Sequence, residues 1–211
     1  MPEIWLFLIA AMTLTLAPGP DNIYVLTRGI AQGRKAGLVS ALGFSSGLIF
    51  HTMLAVLGFA ALIKASPLAY SLLRYAGAGY LIGAGYLIYI GVRTLRSHAT
   101  VQLHGDAAPP MKLSRIYWQS VIANILNPKV TLFFIAFLPQ FVNAGAGHIP
   151  AQMLLLAAVF ILQALAIFSV VALFSGMVGA FFQRKKAAAS IMNRVAGTAF
   201  IGLGIRIALP Q

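Results

Sequence analysis

The chain has no cysteine and only three acids, Glu3, Asp21 and Asp106. Without thiols there is no disulfide framework and no thiolate metal site, although that absence identifies no compartment. Three scattered carboxylates cannot line a divalent-cation site, and no pair of them is placed for acid–base catalysis. The histidines, His51, His98, His104 and His148, are too dispersed to form a metal cluster. No glycine-rich phosphate loop ends in Lys-Ser or Lys-Thr, which argues against ATP drive within this chain. Charge of any kind is scarce. Charged residues make up 9% of the chain and hydrophobic ones 60%, whereas a soluble domain carries roughly 25% charged residues. A water-soluble protein of this length could not cover its surface with so few. The shortages predict a membrane protein, with no enzyme activity, metal or cofactor.

What is abundant is apolar sequence in long runs. A spanning helix needs about 20 mostly apolar residues, and six stretches qualify: Ile4 to Leu26, Ala36 to Ile63, Leu68 to Val92, Ile116 to Phe141, Ile149 to Phe182 and Val195 to Leu209. The first has no basic n-region and runs into a Pro/Gly break, so it reads as a span and not a cleavable signal. The net charge of +12 does not point to nucleic acid, because the basic residues sit at the ends of apolar runs. Cytoplasmic connections collect Lys and Arg. Arg28, Arg34 and Lys35 follow the first run; Arg93, Arg96, Lys112 and Arg115 follow the third; Arg184, Lys185, Lys186 and Arg194 follow the fifth. The other side has Lys64, Arg74 and Arg206. Both termini are therefore expected outside, in an all-α, polytopic membrane protein surrounded by lipid.

The two halves resemble each other. Ala17-Pro18-Gly19-Pro20-Asp21-Asn22 interrupts the first run, and Asn124-Ile125-Leu126-Asn127-Pro128-Lys129 interrupts the fourth. Aligning Pro20 with Pro128 sets Asp21 against Lys129. Arg74-Tyr75-Ala76-Gly77-Ala78-Gly79-Tyr80 likewise matches Arg194-Val195-Ala196-Gly197-Thr198-Ala199-Phe200. Three spans per half predict two inverted three-helix repeats, residues 1–96 and 115–211, joined by a polar cytoplasmic loop at 97–114. Inverted repeats with paired helix breaks recur in secondary transporters.

The breaks are where chemistry is expected. A charge deep in a bilayer costs about 3 kcal/mol; Asp21 is the one acid placed well inside a run, and Lys129 lies inside the fourth. Matching positions predict that they approach near the midplane and partly neutralise. Pro18, Pro20 and Pro128 remove helical donors, and the groups they release must find protein, water or ligand. A zwitterionic amino acid has one end for each need, and Asn22, Asn124 and Asn127 add amides that donate and accept. The plainer reading is a structural clamp of kinked helices and a buried ion pair. His51, in the second run, is either a proton relay, since imidazole exchanges protons near neutral pH, or a histidine bonded to a backbone carbonyl. Gln163 either meets substrate or bonds a neighbouring helix. Gly43 with Gly47 and Gly79 with Gly83 have the spacing for close helix approach; such faces serve bundle assembly, sliding surfaces or a homodimer contact. Trp5, Tyr117 and Trp118 near run ends read as interfacial anchors.

At these residues the chain resembles the lysine exporter family, LysE/RhtB, and especially its threonine/homoserine exporter branch. The likeness rests on Ala17 to Asn22, Gly47-Leu48-Ile49-Phe50-His51, Tyr75 to Leu81, and most specifically Asn127-Pro128-Lys129-Val130-Thr131-Leu132-Phe133-Phe134 through Phe137-Leu138-Pro139-Gln140-Phe141. It is weakest at 97–114 and 142–160. The resemblance implies a small secondary transporter exporting amino acids or analogues in exchange for protons, with Pro18, Gly19, Pro20, Asn127, Pro128 and Lys129 carried over. Some members have a carboxylate near the position of His51. Because one intramembrane acid faces one lysine, a small neutral amino acid is the expected substrate. The alternative is a channel or permease for another small solute.

Overall fold

The structure is a computed structural model that describes residues 2–17, 19–65, 88–89, 92, 111–177, 180, 191, 194, 198, 201–202 and 205. The expected third and sixth spans, with the paired segments on them, lie outside the described residues apart from scattered helical positions. Pro18 also lies outside them. Among the described residues all regular structure is helical.

The first span is two helices, α1 (Ile4–Leu16) and α2 (Pro20–Gln32), bent by 56°. α1 is apolar and free of Pro and Gly, and it ends where that composition ends. Pro20 restarts the helix at its first position, where a missing N–H costs nothing. Gly33 then turns the chain at φ +81°, a conformation that a Cβ disfavours. α3 (Arg34–Ala65) is one long helix. The fourth span is again broken: α4 (Leu113–Ile125) stops before Asn127, Pro128 starts α5 (Pro128–Leu132), and the pair is bent by 50°. A π-helical turn, Phe133–Phe137, and a 3-10 turn, Leu138–Phe141, complete it. After a short 3-10 turn at Ala144–Ala146, α6 runs from Ile149 to Leu173. α3 and α6 are each long and apolar enough to cross a membrane, and the two bent pairs raise the total to four among the described residues.

Three boundaries differ from expectation. The first span continues past Leu26 to Gln32, because α2 has an apolar face that stays buried at Val25, Leu26 and Gly29. The fourth begins at Leu113. The fifth does not run unbroken to Phe182: α6 ends at Leu173 and Phe174 makes a turn. Ser175 then fits against Gly29, where any added Cβ would meet the serine side chain at 2.6 Å.

Contacts at the span ends fix direction. The Glu3 N–H donates to the Phe141 carbonyl at 3.0 Å, so the start of span one meets the end of span four. At the opposite end, Gln32 Nε2 donates to the Met111 carbonyl at 3.0 Å. The two broken spans therefore run antiparallel, and the basic ends at Arg28–Lys35 and Lys112–Arg115 lie on one side.

Two kinds of packing hold the spans. α3 meets α4 through small residues. A Cβ on Gly43 would lie 2.5 Å from the Tyr117 carbonyl oxygen, and one on Gly47 would lie 2.7 Å from the Asn124 side chain. Ser40 and Ser120 hydroxyls meet at 3.0 Å in the same seam. Close backbone approach is what drives helix association in lipid, where burial from water is not available. α1, the π turn and α6 instead meet through aromatic rings. Phe133 packs on Phe137 at 4.9 Å and Phe160 at 5.2 Å, and Phe7 on Phe141 at 5.3 Å. Phenyl rings pack without polar groups to satisfy, which suits a bundle interior. Trp5 and Trp118 are exposed, consistent with anchors, whereas the Tyr117 hydroxyl donates to Ser46 Oγ at 3.0 Å and is spent inside the protein.

Candidate site at the two helix breaks

Breaking α1 releases the carbonyls of its last turn. Asn22, one turn into α2, donates its amide to the Thr15 carbonyl at 2.7 Å and to the Ala17 carbonyl at 3.1 Å. Lys129, from the other break, donates Nζ to the Leu14 carbonyl at 3.0 Å and to the Ala17 carbonyl at 3.4 Å. An ammonium at a helix C-terminus also complements the negative end of the helix dipole. Asp21 sits in the first turn of α2, where the positive end of the dipole favours an anion.

Asn127 ties the two breaks together. Its Oδ1 caps α5 by accepting from the Lys129 N–H at 3.0 Å, while Nδ2 donates to Asp21 Oδ1 at 2.8 Å. Both groups are buried, Asp21 to 6% and Asn127 to 4% exposure. The sequence alignment that paired Pro20 with Pro128 thus corresponds to two helix starts that share hydrogen bonds.

Asp21, Asn124 and Lys129 line one cavity, together with Leu14 and Thr15 of α1, Leu48 of α3, Val130 of α5, and Phe160, Ala164 and Phe168 of α6. Its volume is about 10 Å³, room for about one water. A small-molecule pocket is on the order of 300 Å³, so this conformation is closed around its polar groups. Asn124 Oδ1 is buried there without a hydrogen-bond partner, which leaves an acceptor available.

The other expected site residues fall around this cavity in different roles. Pro20 and Pro128 are exposed; their rings start helices and do not line the cavity. Gly19 is close behind Lys129: a Cβ there would lie 3.2 Å from Nζ. Asn22 caps the end of α1. His51 is fully buried, and its Nε2 lies 3.0 Å from the Asn124 carbonyl at the α3–α4 contact, which is the backbone-bonded alternative. Its Nδ1 has no partner. Gln163 Nε2 donates to Thr15 Oγ1 at 2.9 Å, a link between α6 and α1, while its Oε1 is unsatisfied. Thr15, Phe160, Ala164 and Phe168 were not singled out by the sequence. The signal for the last three was their spacing of four, which puts them on one face of a helix.

The comparisons agree with this architecture. Residues 12–211 match the family described as LysE type translocator. The leucine efflux protein of Salmonella typhimurium (strain LT2) is 31% identical over 209 residues, covering 98% of this chain and 95% of the relative. That of Enterobacter sp. (strain 638) is 31% identical over 206 residues with the same coverage. The uncharacterized membrane protein YrhP of Bacillus subtilis is 29% identical over 209 residues, covering 95% of each chain. No solved structure matches. A family match over nearly the whole length, on a bundle of apolar helices broken at two prolines, establishes that the chain belongs to the LysE type translocators and is a multi-pass transporter of the cytoplasmic membrane, not an enzyme.

Proposed function

We propose that the chain exports small neutral amino acids from the cytoplasm, in exchange for protons, by alternating access at the two helix breaks. The coarser part, amino-acid export, is supported by the family and by the leucine efflux relatives. The finer part is carried by one observation: Asp21 and Lys129, on separate broken helices, line the same cavity.

In the closed conformation each charge is occupied by protein groups. Lys129 is held by α1 carbonyls and Asp21 by the Asn127 amide. A zwitterion replaces both sets of bonds without leaving an unpaired charge. Its carboxylate takes Lys129, and its ammonium takes Asp21 and the released carbonyls. An unpaired buried donor or acceptor costs about 1–3 kcal/mol, so solutes lacking either end are disfavoured. A cationic side chain would add a charge with no partner among the described lining residues.

Antiparallel broken spans fit two inverted halves, 1–96 and 115–211, with N-terminus and C-terminus outside and the 97–114 loop cytoplasmic. Rocking one half on the other would open the cavity to each side in turn. Asp21 is the proposed proton carrier: once protonated it no longer balances Lys129 or a bound ammonium, which favours substrate release. His51 is already engaged with the Asn124 carbonyl, so it serves as a helix contact in this scheme.

The test is export in cells. Asp21→Asn or Lys129→Met abolishes resistance to toxic neutral amino-acid analogues while the protein remains at normal level in the membrane. Normal resistance in both variants rules the site out.

A further inference from the structure

The cavity is amphiphilic in a definite way. Thr15, Asp21, Asn124 and Lys129 are its polar lining residues, and the remaining lining is aliphatic or aromatic. On α6 the residues lining it are Phe160, Ala164 and Phe168, buried to 3%, 1% and 3% exposure. They sit four apart, so Ala164 lies between two rings on one helix face.

Each ring is held by aromatic neighbours from other elements. Phe160 packs against Phe133 and Phe134, both at 5.2 Å. Phe168 packs against Phe44 at 6.0 Å. Between the two rings, this face of α6 contributes the Ala164 methyl group to the cavity lining. Among the polar lining residues, Asn124 is buried at 1% exposure and its Oδ1 has no hydrogen-bond partner, which leaves an acceptor for a donor such as an ammonium. α6 is one continuous helix and carries no break in this region.

We propose that the notch at Ala164, walled by Phe160 and Phe168, receives the substrate's side chain and sets its permitted size, making this site selective for aliphatic amino acids over cationic, acidic and aromatic ones. The proposal rests on the binding site inferred above and assigns the part that reads the side chain. Opening the cavity separates the polar groups but keeps α6 intact, so the notch stays the surface against which a side chain is measured. Added bulk at position 164 shortens the space from its floor, and removed bulk deepens it.

The test is counterflow in proteoliposomes containing the full chain, with labelled L-alanine, L-leucine and L-phenylalanine. In Ala164→Leu the leucine-to-alanine rate ratio falls about tenfold, the discrimination that a few methylenes achieve in an apolar pocket. In Ala164→Gly the phenylalanine-to-leucine ratio rises. Unchanged ratios in Ala164→Leu overturn the proposal. If that variant carries no solute, Ala164→Gly decides, and an unchanged panel there overturns it. Asp21→Asn is measured alongside. If it carries all three solutes at the normal rate, the binding site itself is misplaced. If it carries none while position 164 leaves selectivity untouched, the site stands and only the notch is wrong.

Discussion

Asn127 is the residue on which both breaks depend. It caps α5 with one amide atom and holds Asp21 with the other. Losing an N-cap costs about 0.5–2 kcal/mol, and leaving a buried carboxylate short of a donor costs about as much again. Asn127→Ala therefore lowers the thermal unfolding temperature of the detergent-solubilised protein, and Asn127→Asp, which keeps the cap but sets a second carboxylate beside Asp21, lowers export more than it lowers stability. Equal unfolding temperatures for Asn127→Ala and the parent would show that the link is not formed. Much of this chemistry was legible in the sequence, because a charge or an asparagine beside a proline inside an apolar run has few uses. The apolar lining was not. Phe160, Ala164 and Phe168 are ordinary in a membrane span, and only the neighbours contributed by α1, α3 and α5 distinguish a cavity wall from a lipid-facing side. His51 illustrates the same limit: its type allowed two roles, and the sequence alone did not show that its Nε2 lies 3.0 Å from the Asn124 carbonyl.

At the scale of elements, the α3–α4 seam is the most constrained contact. A side chain at Gly43 meets the Tyr117 backbone carbonyl, which has no flexible end to move aside. Overpacking of this kind costs about 1–3 kcal/mol. Gly43→Val accordingly destabilises the protein or lowers its membrane level, whereas Gly58→Val, with nothing within 4 Å of its added Cβ, does neither. Similar unfolding temperatures for the two variants would contradict the packing. The glycine spacing and the prolines made the seam and both breaks readable in advance. The π turn at Phe133–Phe137 was not read in advance; the local signal beside it is Pro139, which has no N–H to donate back to the Ile135 carbonyl. The end of α6 at Leu173 was not readable either, because the apolar run continues past the turn at Phe174.

For the whole molecule, the arrangement of basic residues implies a sidedness that the absence of cysteine makes easy to measure. Lys112, at the start of α4, belongs to the basic side with Arg28 and Arg34. Gly145, in the connection to α6, belongs to the side of the N-terminus. Single cysteines at these two positions should react with a membrane-impermeant thiol reagent from opposite faces, Lys112→Cys from the cytoplasm and Gly145→Cys from outside. Labelling from the same face would refute the topology, and reversed labelling would turn the exporter's orientation around.

The proposed export requires one site to bind both ends of an amino acid at once. Its direct measurement is binding of L-leucine to the purified protein, compared with 3-methylbutylamine, which lacks the carboxylate, and 4-methylpentanoate, which lacks the ammonium. Leucine should bind, each half-ligand should bind at least about tenfold more weakly, and Asp21→Asn or Lys129→Met should remove the preference. A half-ligand that binds as tightly as leucine, or a preference that survives both substitutions, would contradict it.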